Sequence, residues 1–264
     1  MLKMGQKWRW IVRLVIGFAV VIAVSLAVVQ VGQQIVRHRA ERLLGEMRAL
    51  EVGKSTWKDL QGIQTRWGAW GHYEGACNAT NCEYQISLID WVGNVIDAIS
   101  LRRGASALHD HLPEVLADIS VHGGEVDRTS FMVSTAVPKG DGPGWNGDGP
   151  EPEGYIEYKS GSYALVTIAK SVKEPLTPAY GPEATSHPEY RMRPPGGCEG
   201  CMGFDTEFTA AATPEDVNWL TGFDFSCMTR WSPCTVSSDL MPEAWRRYVA
   251  ERKKNLGIGL PVVP

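Results

Sequence analysis

Residues 14–31 read LVIGFAVVIAVSLAVVQV, apolar on every face apart from Ser25 and Gln30. Eighteen such residues form a helix of about 27 Å, close to the hydrocarbon thickness of a bilayer. No charge interrupts the chain between Arg13 and Arg37, which predicts a transmembrane helix over residues 14–36. The pattern then becomes amphipathic. Over residues 33–50, Ile35, Leu43, Leu44, Met47 and Leu50 share one face of a helix that continues out of the apolar span. Gly53 ends it, and Ser55 or Thr56 caps a second helix to Trp67, with Trp57, Leu60 and Ile63 or Gln64 inward.

Beyond Gly68 the period shifts to two. GAWGHYEG is an aromatic, glycine-punctuated loop. Residues 83–91 alternate as a strand, Gly93-Asn94 turns, and residues 95–101 alternate again, which predicts a hairpin. Residues 113–119 read as a short helix with Pro113 in its first turn, and 129–137 as a strand. Residues 155–173 predict a second hairpin around Ser160-Gly161, and its second strand, apolar on both faces from Leu165 to Ala169, belongs inside a sheet. The stretch 174–197 is irregular. Thr213 and Pro214 start a short helix, and residues 242–254 form an amphipathic one carrying Trp245 and Tyr248 on a single face. There is no βαβ rhythm. The fold class is α+β: a transmembrane helix, a helix pair, then an antiparallel β-sheet with short helices. The divisions are a tail (1–13), the span (14–36), a helix pair with strands (37–137), a Gly/Pro-rich flexible loop (138–154) and a hairpin with a Cys-containing region (155–264). The parts at 37–137 and 155–264 are read as one extracytoplasmic unit.

Charge bears on topology. The tail carries Lys3, Lys7, Arg9 and Arg13 and no acid, which favours a cytoplasmic N-terminus, although Arg37, Arg39, Arg42 and Arg48 follow the span closely. Beyond the span 22 Lys and Arg face 30 Asp and Glu, a balance of −8 that argues against nucleic acid as a partner. Ser25-Leu26-Ala27 offers a signal-peptidase site, but the apolar run continues past it to Val31, so an uncleaved signal-anchor is the reading. The lipid bilayer is then the partner of residues 14–31, and an envelope protein is a second expected partner.

The six cysteines fall into three close pairs, Cys77/Cys82, Cys198/Cys201 and Cys227/Cys234. On an exported chain local pairs predict disulfides, and these in turn favour an extracytoplasmic domain. Two alternatives use the same residues. A structural zinc site would take Cys198, Cys201, Cys227 and Cys234, and would place the domain in the cytoplasm on a reversed anchor; the six residues between the last two are wide for a zinc ribbon. A redox site would use CEGC, although loop sequence surrounds it on both sides. Met202 stands where a haem-attachment motif needs His.

Few other residues point to chemistry. His109 and His111 would share a face in a strand and could hold a metal with His122 or Glu114; two surface histidines are the simpler reading, and no cofactor is assigned. Asp141 and Asp148 lack EF-hand spacing. Trp67, Trp70, His72 and Tyr73 could line a binding pocket or serve as packing. Asn78-Ala79-Thr80 is formally a glycosylation sequon on an exposed loop. No nucleophile-elbow, Walker, Rossmann or zinc-protease motif occurs.

The segment LEVGKSTWKDLQGIQTRWG, followed by strands, resembles the small outer-membrane-assembly lipoproteins of the BamE/SmpA type over residues 50–103. In that family a turn leads into a capped helix that ends at Gly; the resemblance implies a structural likeness only, and this chain lacks the lipobox cysteine. The wider arrangement of anchor, GKSTW, paired cysteines, GFDFSC and MPEAW is similar to uncharacterised single-pass membrane-anchored bacterial proteins, which implies no activity. The expectation is a membrane-anchored extracytoplasmic binding or scaffolding protein of the cell envelope. The competing readings are a metal- or thiol-dependent enzyme and a zinc-stabilised cytoplasmic domain.

Overall fold

A single helix, α1 (Lys3–Arg48), carries both the apolar span and part of the domain core. Its 46 residues extend about 69 Å. Its surface divides along its length. Trp8 to Ile35 are mostly exposed, whereas Val36, Ala40, Leu43, Leu44 and Met47 are buried at helical spacing. The structure, a computed structural model, describes residues 3–88, 114–137, 163–173, 189–191, 201–229, 234 and 237–256.

Leu50 and Val52 extend the buried stripe past the helix end. Gly53 then takes φ +77°, a backbone region open to glycine, and its N–H donates to Val126 O at 2.8 Å. This turn delivers the chain to α2 (Trp57–Trp67), the helix the capping pattern predicts. Thr56 is the N-cap; its N–H and hydroxyl both donate to Asp59 Oδ2, at 2.8 and 3.0 Å. Those bonds hold the Asp59 carboxyl below its ordinary value. α2 buries Leu60, Ile63 and Trp67.

Glu46 fastens α2 to α1. It accepts hydrogen bonds from Trp67 Nε1 and Arg66 Nε, each at 2.9 Å, and from Arg42 Nε at 3.3 Å. Burial pushes its pKa up, but the bonds from Trp67, Arg66 and Arg42 outweigh that, and the carboxyl sits below its ordinary value. The guanidiniums of Arg39 and Arg42 lie 4.5 and 5.9 Å over the rings of Trp70 and Trp67.

Seven strands follow: β1 (Gly71–Tyr73), β2 (Asn81–Leu88), β3 (Glu114–His122), β4 (Glu125–Val137), β5 (Tyr163–Val172), β6 (Glu189–Arg191) and β7 (Cys201–Thr209). They form one sheet in the order β1-β2-β3-β4-β5-β7-β6. All pairs are antiparallel except β5 with β7. The β3–β4 hairpin turns on Gly123-Gly124, with φ +64° and +89°, the left-handed pair that a two-residue turn requires. Alternation sorts the sheet into two faces. Tyr84, Ile86 and Leu88 of β2, Val115, Ala117 and Ile119 of β3, and Phe131 and Val133 of β4 point to the covered face.

α1, α2 and a 3-10 helix (Phe225–Thr229) cover that face over β2 to β4. Over β7 it is covered by α3 (Pro214–Leu220), in a second cluster around Phe204, Trp219, Leu220 and Met241; α4 (Ser237–Leu240) packs on β5 with Leu240 in the first cluster, and α5 (Pro242–Leu256) joins the second. Phe204 packs edge-on to Trp245 and Tyr248, so the amphipathic face expected for this helix is the one that docks. Phe223 touches both clusters and stacks on Phe225 at 5.7 Å. The disulfides Cys77–Cys82 and Cys227–Cys234 pin loops to this frame.

The α+β class is the one expected, and several elements differ. The aromatic loop contains β1, whose Gly71 faces Tyr84 so closely that any side chain there would overlap the ring. Of the expected helix 113–119, residues 114–119 belong instead to strand β3, because Val115, Ala117, Ile119 and Val121 alternate and pair along both neighbouring strands. The expected hairpin partners, 95–101 and 155–159, lie outside the described residues; β2 pairs with β1 and β3, and both edges of β5 are taken by β4 and β7. β5 is therefore interior, as its two-sided apolarity requires. Cys201 opens strand β7 where loop was expected, and β7 makes the parallel pairing with β5.

Glu46→Ala is expected to cost about 2 kcal/mol at neutral pH, since it leaves Trp67 Nε1 without its acceptor. A folded-state pKa below the ordinary 4.5 gives stability that is complete above that value and lost as pH falls through the folded value. The difference between wild type and variant, read by thermal unfolding of the solubilised protein, should therefore shrink below about pH 4.

Candidate functional site

The two core clusters meet over β4, β5 and β7 without closing. Here the covered face of the sheet is built from small residues. Thr129, Ser171 and Phe208 lie on one register line, with Ala169 beside them. Leu44, Met47 and Leu50 form one wall, and Pro214 and Val217 of α3 form the other. The space between is a groove of about 520 Å³, within the size range of small-molecule sites.

Local sequence sets the α3 wall. Thr213 Oγ1 accepts from Asp216 N at 3.2 Å, while Asp216 Oδ2 accepts from the Thr213 hydroxyl at 2.7 Å and Oδ1 from Trp219 Nε1 at 3.1 Å. The Thr213 bond, helped by Trp219, holds the Asp216 carboxyl below its ordinary value. The Arg247 guanidinium covers the Trp219 ring at 4.5 Å.

Arg48, the last residue of α1, ties that helix to the end of α3. Its Nε donates to Thr221 Oγ1 at 2.7 Å and its Nη2 to Thr221 O at 2.6 Å. Arg48 is exposed as a residue, yet partial burial of its guanidinium lowers its pKa while leaving it charged. Both its acceptors are neutral, and among the described residues no carboxylate lies within ion-pair distance of it. The other cation lining the groove, Lys54, is paired with Glu51 at 2.6 Å.

The opposite face of the sheet carries a transverse polar row. His72, Gln85, Asp118, Ser130, Lys170 and Glu207 occupy matched positions on six strands, and the register continues to Glu189. Asp118 accepts from Gln85 Nε2 and Ser130 Oγ, each at 2.8 Å, and Lys170 pairs with Asp205 at 3.0 Å. A shallower groove of about 320 Å³ runs over this row. Asp118 and Lys170 spend these bonds on one another's neighbours, which makes the row a cross-strand lattice.

The expected binding aromatics separate. Trp67 is 3% exposed and serves Glu46, and Trp70 is covered by Arg39. Tyr73 is exposed and packs on Tyr84 at 5.3 Å; His72 is exposed at the end of the polar row. His109, His111, Asp141, Asp148 and Cys198 lie outside the described residues. His122 sits at the far end of β3 from Glu114, about 26 Å away by strand rise, so those two side chains do not share a site. The Cys227–Cys234 disulfide takes two thiolates from the zinc alternative. Among the described residues no group of three His, Cys, Asp or Glu side chains could hold a metal. Asn78 and Thr80 are exposed, with Asn78 Oδ1 accepting from Thr80 N and Asn81 N at 2.9 Å. Arg48 and Thr221 carry no motif. The only sequence signal for them is a cation at the last turn of an amphipathic helix.

No protein-family model matches the chain, and no curated protein or solved structure matches it either.

If Trp67 is a brace between helices, Trp67→Ala should cost about 3–5 kcal/mol, whereas His72→Ala should leave the melting temperature within a degree or so of wild type. Thermal unfolding of the two variants side by side checks this.

Proposed function

We propose that this chain is a membrane-anchored extracytoplasmic binding or scaffolding protein of the cell envelope, inserted through residues 14–36 with its N-terminus in the cytoplasm. The observation that carries the reading is the surface of α1. Tyr73 apart, every large hydrophobic side chain found exposed among the described residues lies between Trp8 and Ile35. That much apolar surface left in water would cost about 25 cal/mol for each Å², and a bilayer removes the cost. α1 is also the one described helix long and apolar enough to cross a membrane.

Two further observations agree with this placement. The disulfides Cys77–Cys82 and Cys227–Cys234 belong to an oxidising compartment. The domain also begins where the span ends. Gln30 Nε2, one residue before the apolar run ends at Val31, donates to Thr229 O at 2.7 Å, which supports a bilayer boundary near Val31 with the 3-10 helix and its disulfide beside it. A domain seated on its anchor without a linker is suited to holding a partner or ligand at a fixed height.

Alkaline carbonate washing should leave the full chain in the membrane pellet. A maleimide mass tag on the denatured protein should leave Cys77, Cys82, Cys227 and Cys234 unlabelled until reductant is added. Release into the supernatant, or labelling of these four before reductant, would overturn the reading.

A further inference from the structure

We infer that the groove between α1 and α3 binds a small organic carboxylate with a compact apolar body, its carboxylate on Arg48. The inference deepens the binding function proposed above and rests on it. Three observations converge. Among the described residues, the groove runs along the covered face between the two clusters, over Thr129, Ala169 and Ser171. Leu44, Met47, Leu50, Pro214 and Val217 give its walls apolar patches among polar residues such as Thr209 and Asn218, with Phe131 and Phe208 at the floor. At its end stands a guanidinium held by two neutral acceptors, with no carboxylate partner among the described residues.

Charge selects the ligand class. Arg48 uses two N–H donors on Thr221, and a guanidinium has five. The donors left over suit a planar, singly charged carboxylate. A dianionic phosphate would be only half neutralised there, because Lys54 is already committed to Glu51. A cation would meet Arg48 and find Glu51 engaged. The Phe131 and Phe208 rings favour an aromatic or compact aliphatic body over a polar one. Partial burial of the guanidinium strengthens its hydrogen bonds to an arriving anion.

The test uses the full chain in lipid nanodiscs, titrated calorimetrically with 3-phenylpropionate and with its neutral analogue 3-phenylpropionamide. The wild type should bind the acid at least tenfold more tightly than the amide. Arg48→Gln, which keeps donors for Thr221, should abolish that preference, and Arg48→Lys should restore part of it. Asn218, exposed on α3 at the groove, gives a control independent of Arg48. Asn218→Phe should weaken both ligands by obstructing the groove. Unchanged melting of each variant is measured alongside. No saturable binding of the acid, equal binding of acid and amide, or full affinity in Arg48→Gln would overturn the inference. A chain that binds the acid but leaves the carbonate-washed pellet overturns the anchoring reading alone. A chain that stays in the pellet and binds neither ligand overturns the groove alone.

Discussion

The uninterrupted backbone hydrogen bonding of α1 is the constraint on which the rest of the structure depends. One helix must present an all-round apolar surface over its middle, residues 14–31, and a narrow apolar stripe from Val36 to its end. Where the stripe begins, at Val36, the domain must begin too, because Ala40 and Leu43 bury in a core shared with the sheet, α2 and the 3-10 helix. The Glu46 cluster then sets the angle of α2, and the Gly53 turn is hydrogen-bonded to Val126 of β4. Deleting the helix would remove one wall of the core as well as the anchor.

The parts of the fold legible in the sequence are those governed by neighbours three or four residues away. The caps at Thr56 and Thr213, the stripe on α1 and the docking face of α5 are all local patterns. What escaped depends on pairing between distant residues. β3 was masked by Pro113, a helix-start signal standing beside a run that alternates as Val115, Ala117, Ile119 and Val121. β7 follows a Gly- and Pro-rich segment and pairs in parallel with β5, which no hairpin signal can announce. The candidate site was less legible still. Arg48 reads in sequence as one more basic residue after the span, and only the fold brings it to Thr221, 173 positions away.

The groove and the polar row show the same sheet used in two ways. On one face small side chains at Ala169 and Ser171 leave room, and the surrounding helices do not fill it. On the other, Gln85, Asp118 and Ser130 satisfy one another across three strands, so the polar surface costs little. Stability is thus concentrated at β2 to β4 beneath α1, and the less filled part of the core lies toward β5 and β7.

On the anchoring proposed above, a rigid rod shared by a bilayer and a domain is also a lever. Transmembrane helices tilt by about 20° on average, and more when the bilayer is thinner than the apolar stretch. Arg48 lies seventeen residues beyond Val31, about 25 Å along the axis. A 20° tilt therefore swings the mouth of the groove sideways by about 9 Å. Bilayer thickness is in this way converted into the direction the domain faces.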